Sequence, residues 1–188
     1  MIERKTLETD IRVKVRNDKV IEIDSGNGFF NHLLKTLFFY AGIGIEIKVK
    51  GDFETGYHHS VEDLGIVIGK LFRSLIEQAS GFNRYSSIYS PMDEALVLLV
   101  IDVSNRPYLN YQVDYSLPYI AQLPLELIRE FLVAFVNNSR VTLHIKKIEG
   151  IDSHHIAEAI FKGLGRQLKE IFDTPNRELM STKGVIYD

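Results

Sequence analysis

The stretch His58-His59-Ser60-Val61-Glu62 recurs 96 residues further on as His154-His155-Ile156-Ala157-Glu158. Each copy opens an amphipathic segment and follows a β-like run that ends in a short loop containing glycine. A chain written this way reads as two similar halves, each bringing one His-His-x-x-Glu cassette. Residues three or four apart share a helix face, so His58 and Glu62 point together, and His59 and Glu62 nearly so. Adjacent residues diverge by about 100°. The two histidines of a pair are therefore predicted to serve different ions. That implies two metal centres, each combining ligands from both cassettes, as a dinuclear pair or as separate sites. One such motif is a weak signal, because histidine and charge often solvate a helix start. Two copies in matching context favour metal binding.

Cysteine is absent, and four of the six histidines lie in the two pairs. Thiolate ligands and disulfides are excluded, and a metal must be held by imidazole and carboxylate, a set that suits manganese, iron, zinc or nickel. The net charge of −3 is spread without a basic block, which argues against nucleic acid or a membrane surface as partner. No apolar run is long enough to span a bilayer, and residues 1–5 lack the apolar core of a signal peptide, so a cytoplasmic location is expected.

Residues 5–15 alternate charged and β-branched side chains as a half-buried strand does. Asn17-Asp18-Lys19 reads as a hairpin turn into a second strand near residues 20–23. A helix is predicted over 29–41, stopped by Gly42 and Gly44, followed by a strand over 45–49 and a helix from His58 to about residue 79. The second half repeats this order: strands at 94–102 and 107–114, a helix over about 124–138, a strand at 141–148 and a helix over about 154–172. Residues 80–92, with Gly81, Ser86, Ser87, Ser90 and Pro91 as breakers, read as a linker that carries Arg84. The expected fold class is α+β, with two duplicated β-β-α-β-α halves, residues 1–85 and 86–188, forming one compact unit. His32 precedes its cassette by 26 residues, and Glu130 holds the matching place 24 residues before His154. His144 is expected to be structural or to sit behind the ligands.

The ordered motifs extend well beyond the cassettes. Arg4-x-Thr6-x-Glu8-Thr9, Gly28-Phe29-Phe30-Asn31-His32-Leu33-Leu34, His58-His59-Ser60-Val61-Glu62-Asp63-Leu64-Gly65, Pro91-Met92-Asp93-Glu94-Ala95-Leu96, Arg106-Pro107-Tyr108-Leu109, Leu143-His144-Ile145, His154-His155 to Phe161-Lys162 and Ser181-Thr182-Lys183-Gly184 together resemble the imidazoleglycerol-phosphate dehydratase family over almost the whole chain. The resemblance implies a ribosomal S5 domain 2-like fold, with the sheets packed on helices between them. It implies a hydro-lyase of histidine biosynthesis that turns imidazoleglycerol phosphate into imidazole acetol phosphate with two manganese ions per site. Trimers assembling into a 24-subunit shell, with sites between subunits, are implied as well. Carried over by position, the metal ligands are His32, His58, His59, Glu62, His154, His155 and Glu158, with Glu130 where the family usually has histidine. Asn31, Thr36 and Tyr40 also depart from the usual pattern. Glu8 falls at the acid/base carboxylate. Arg84, Arg106, Lys162, Ser181, Thr182 and Lys183 fall at the phosphate site. Two other readings stay open: a relative in which metal only cements the assembly, and a metal-dependent phosphohydrolase.

Overall fold

The computed structural model describes residues 1–173. The first half runs β1 (Ile2–Lys5), β2 (Thr9–Arg16), β3 (Ile21–Asp24), α1 (Gly28–Ala41), β4 (Gly44–Gly51) and α2 (His58–Gln78). The second runs β5 (Tyr85–Met92), β6 (Ala95–Asp102), β7 (Tyr108–Gln112), a small hairpin β8 (Tyr119–Ile120) and β9 (Leu123–Pro124), α3 (Glu126–Ser139), β10 (Thr142–Glu149) and α4 (Ser153–Phe172). The two large sheets have the same strand plan, β1-β2-β4-β3 and β5-β6-β10-β7. Their last-named strands run parallel to the central one and the others antiparallel. Helices α2 and α3 pack along each other, as do α1 and α4, so the helices lie between the sheets. The α+β class and the duplication expected from the sequence are present.

Each large sheet carries one strand more than periodicity predicts, and the small hairpin of β8 and β9 adds two in the second half. Residues 5–15 are not one strand: the chain folds back at Thr6-Leu7-Glu8, where Thr6 Oγ1 accepts the N–H groups of Glu8 and Thr9, a side-chain-stabilised turn across which the outward charged positions change from odd numbers in β1 to even numbers in β2. The turn at Asn17-Asp18 does not form a hairpin, because β4 inserts between β2 and β3. Residues 80–92 are not merely a linker, since they contain β5. The serines of β5 are small for a reason: Ser86 and Ser90 are buried under α4, and a Cβ on Gly163 would stand 2.9 Å from the Ser90 Cβ. Serine there reflects close packing of helix on strand, which composition alone confuses with a loop.

Glycine also sets the helix spacing. A Cβ on Gly65 would lie 2.5 Å from the Phe131 carbonyl oxygen, one on Gly69 2.6 Å from that of Phe135, and one on Gly165 2.3 Å from that of Leu37. The helix backbones therefore touch. Around them one continuous apolar core includes residues of both halves. Phe131 stacks on Phe161 at 5.6 Å between ring centres and meets Phe30 edge-on at 5.5 Å. Helix ends follow the sequence closely: Asn27 caps α1 through its side chain, and Gly42 ends it at φ 69°.

The outer faces of the two sheets differ. The first presents Asp10, Arg12, Lys14, Glu46, Lys48 and Lys50, whereas the second presents Tyr85, Tyr89, Leu96, Leu98, Val100 and His144. Among the described residues no helix is long and apolar enough to cross a membrane. Gly65→Ala is expected to force the α2–α3 contact apart and cost about 1–3 kcal/mol, read as a lower urea midpoint. Gly28→Ala, with nothing within 4 Å of its Cβ, is the matched control and should leave the midpoint near that of the parent.

Candidate active site

His32 comes from α1, and His154 and Glu158 from α4. The Nε2 atoms of His32 and His154 lie 3.0 and 3.2 Å from one Glu158 carboxylate oxygen. Ligand atoms held about 2.1 Å from a common ion at right angles are about 3 Å apart, so the three side chains fit a divalent cation. Burial pushes the Glu158 carboxyl up, but His32 and then His154 draw it below its ordinary range, keeping it in the form that ligates. Two imidazoles and a carboxylate suit a first-row transition metal.

The other cassette is arranged in parallel. Glu158 lies seven residues before Gly165, which meets Leu37, and His32 lies five before Leu37. Glu62 lies seven before Gly69, which meets Phe135, and Glu130 lies five before Phe135. Packing register thus gives Glu130 beside α2 the place His32 has beside α4. The side chains are looser there: His58 Nε2 is 3.8 Å from Glu62, and Glu130 pairs with Arg129 at 3.1 Å. Among the described residues Glu130 joins no cluster able to hold a metal.

The remaining cassette histidines turn aside from their neighbours. The rings of His58 and His59 are 6.0 Å apart and nearly perpendicular, and those of His154 and His155 are similar at 6.1 Å. His59 Nδ1 donates to Asp52 at 2.9 Å, and Glu8 stands 3.7 Å away. These three form the second cluster able to hold a metal. His155 Nδ1 donates to Glu94 at 2.6 Å. The Asp52 bond raises the His59 pKa and the Glu94 bond raises that of His155. Backbone N–H donation from Asp152, followed by His155 and Ile151, brings the Glu94 carboxyl down to about 2. Sequence spacing does not single out Asp52 or Glu94: Asp52 shows only as a carboxylate where a strand ends, and Glu94 only as one member of the Pro91-to-Leu96 motif.

Glu8 is held by the fold on both sides. The β1–β2 hairpin that carries it is tied to α2 by Asp63, which accepts the Thr9 hydroxyl at 2.6 Å and pairs with Arg4 at 2.8 Å. The Glu8 carbonyl also accepts the Asp52 N–H. This grip explains why Arg4, Thr6, Glu8 and Thr9 occur as one motif.

The candidate phosphate-binding cations have other partners within one chain or lie exposed. Arg84 pairs with Asp102 at 2.7 Å. Lys162 donates to the Pro91 carbonyl at 2.9 Å and lies over the Tyr40 ring. Arg106, just before β7, is exposed. Ser181, Thr182 and Lys183 lie outside the described residues. His144 stands beside Tyr108 on the outer face of the second sheet, Asn31 accepts the Ser25 N–H, and Thr36 is buried. Among the described residues no hydrogen bond, ion pair or ring contact joins His58, His59 or Glu62 to His154, His155 or Glu158.

Residues 25–168 match the family model for imidazoleglycerol-phosphate dehydratase. The chain belongs to the imidazoleglycerol-phosphate dehydratase family. It is 42% identical to the imidazoleglycerol-phosphate dehydratase of Caldicellulosiruptor saccharolyticus, over 98% of this chain and 96% of that protein. To the Clostridioides difficile enzyme it is 43% identical, over 98% and 97%. Among solved structures, the Pyrococcus furiosus enzyme in complex with (S)-C348 superposes with a TM-score of 0.85 at 37% identity, covering 98% of this chain and 99% of that one. The Staphylococcus aureus enzyme does so at 0.81 and 37%, covering 91% and 96%. Family membership makes the chain a dehydratase, a hydro-lyase. Replacing Glu158 with Ala should lower the metal content of the purified protein by atomic emission, whereas Glu149→Ala, at the exposed end of β10, should not. Equal metal in the two would remove Glu158 from the ligands.

Proposed function

We propose that the protein removes water from D-erythro-imidazoleglycerol phosphate to give imidazole acetol phosphate in histidine biosynthesis, with two divalent ions, manganese by preference, at each site. The observation that carries this reading is the His32–His154–Glu158 cluster, whose packing register repeats at Glu130, His58 and Glu62 in a chain of the dehydratase family. When bound, the ions supply Lewis acidity toward the substrate's imidazole ring. His32, His58, His59, Glu62, Glu130, His154, His155 and Glu158 would hold them, and so fix the ring beside Glu8.

The reaction takes a proton from a carbon that no carbonyl activates, and hydroxide must leave from the next carbon. Glu8 suits the proton transfer, because its side chain is 56% exposed and its carboxylate accepts no hydrogen bond among the described residues. The C–H electron pair becomes the new double bond, hydroxide departs with a proton as water, and the resulting enol tautomerises to the ketone. Arg84, Arg106 and Lys162, with Ser181, Thr182 and Lys183, would bind the phosphate, the arginines by paired N–H donation.

The proposal includes self-association into trimers and a 24-subunit particle in the cytoplasm. Two features support assembly. Among the described residues no hydrogen bond, ion pair or ring contact joins the two cassettes within one chain, and the second sheet turns Tyr85, Tyr89, Leu96, Leu98 and Val100 outward where the first turns charges. Outward apolar side chains gathered on one face mark an interaction surface.

Glu8→Gln should retain metal and assembly while turnover of imidazoleglycerol phosphate falls about 10²- to 10⁴-fold. Unchanged turnover would take Glu8 out of the mechanism, and phosphate release in place of imidazole acetol phosphate would overturn the dehydration itself. Leu98→Glu should shift the particle to smaller species in light scattering, and an unaltered mass would show that this face stays open.

A further inference from the structure

The hairpin tips of the two sheets carry one glutamate each, Glu8 between β1 and β2 and Glu94 between β5 and β6. Because the sheets share a strand plan, the two glutamates are structural counterparts, and each faces the outer histidine of its own cassette. Their surroundings have diverged. One Glu94 oxygen accepts the N–H groups of Ile151 and Asp152 at 3.1 and 2.8 Å, and the other accepts His155 Nδ1. Both oxygens are committed. At the other cassette His59 Nδ1 turns to Asp52, at the end of β4, and Glu8 is left 3.7 Å off. Thr55 Oγ1 donates to the same Asp52 oxygen at 3.0 Å and holds it in place.

An ionised carboxylate can only accept, so the Nδ1 atoms of His59 and His155 must carry the hydrogens. Each ring then presents an unprotonated Nε2 as its basic nitrogen. Metal-ligating histidines are commonly oriented in this way, by donating the other ring N–H to a carboxylate.

We propose that Asp52 and Glu94 are positioning residues that lock His59 and His155 in the tautomer whose Nε2 ligates metal, and that Asp52 performs for His59 what Glu94 performs for His155, which leaves Glu8 free to transfer protons. The inference rests on the two-metal reading above. It places Asp52 behind His59, not in contact with an ion, although Asp52, Glu8 and His59 are close enough to form a ligand group on their own. It also accounts for two like hairpin tips with unlike chemistry: where the tip glutamate orients a histidine it cannot act as a base.

The test is metal affinity of the assembled protein, measured with manganese by competition against a chelator, for Asp52→Ala, Asp52→Asn, Glu94→Ala and Glu94→Gln, with Glu158→Ala as reference. Either alanine variant should bind about 10- to 100-fold more weakly than the parent. Asp52→Asn should recover most of that loss, because an amide oxygen still accepts from Nδ1. Glu94→Gln should not recover it, because one amide oxygen cannot serve both the backbone N–H groups and His155. Light scattering and the thermal midpoint establish that each variant is folded and assembled. Should the Glu94 variants fail there, the Asp52 pair decides. Parental affinity in Asp52→Ala overturns the proposal, and so does equal loss in Asp52→Asn and Asp52→Ala, which would make Asp52 a direct ligand. Parental affinity in Glu94→Gln overturns it as well. Failure of the two-metal reading looks different: the parent and Glu158→Ala would bind manganese equally weakly.

Discussion

Backbone contact between helices governs this molecule. Gly65, Gly69 and Gly165 let α2 touch α3 and α4 touch α1 at distances a methyl group would forbid. Such contact leaves little freedom to slide, because each carbonyl sits over a bare Cα. The histidine of one helix is thereby held opposite the glutamate of another. His32 meets Glu158 across 126 residues of chain through that register, and the same register assigns Glu130 its place beside Glu62. The sheets close the outside of the helix layer and extend one apolar core across both halves.

Duplication supplied two equal frames, and their differences mark where chemistry has been added. Asp63 on α2 accepts Thr9 and pairs with Arg4, while its counterpart 96 residues on is Ala159, fully buried. Among the described residues only the first hairpin is thus tied to its cassette helix by a buried carboxylate, and only that hairpin presents a glutamate without hydrogen bonds to its side chain. The second hairpin is held instead through Glu94, whose three hydrogen bonds join its tip to the start of α4. A buried carboxylate bonded to a hydroxyl and a guanidinium resists displacement, since removing either partner leaves polar groups unpaired. Asymmetry of the same sort divides the sheets, the first mostly charged outward and the second richer in apolar side chains there.

The sequence by itself determined the duplication, the helices and the ligand types. Apolar spacing of 3.6 residues and stops such as Gly42 are local, so α1, α2, α3 and α4 could be read within a few residues. The cassettes were legible because i and i+4 share a face whatever lies around them. Strand count was not legible: the turn at Thr6-Leu7-Glu8 shifts the alternation by one position over too few residues to stand out, and the serines of β5 look like a loop until α4 is laid on them. What only the tertiary structure decided is which distant groups meet. Asp52 reaches His59 over seven residues and Glu94 reaches His155 over 61, and neither pair belongs to a periodic pattern. Glu130 had only a matching offset in the sequence, and helix packing turned that into a position while leaving its carboxylate on Arg129. The physical reason is the same throughout: periodicity reports the face of one element, whereas a site is made where faces of several elements converge, and that depends on packing distances set by residues as small as glycine.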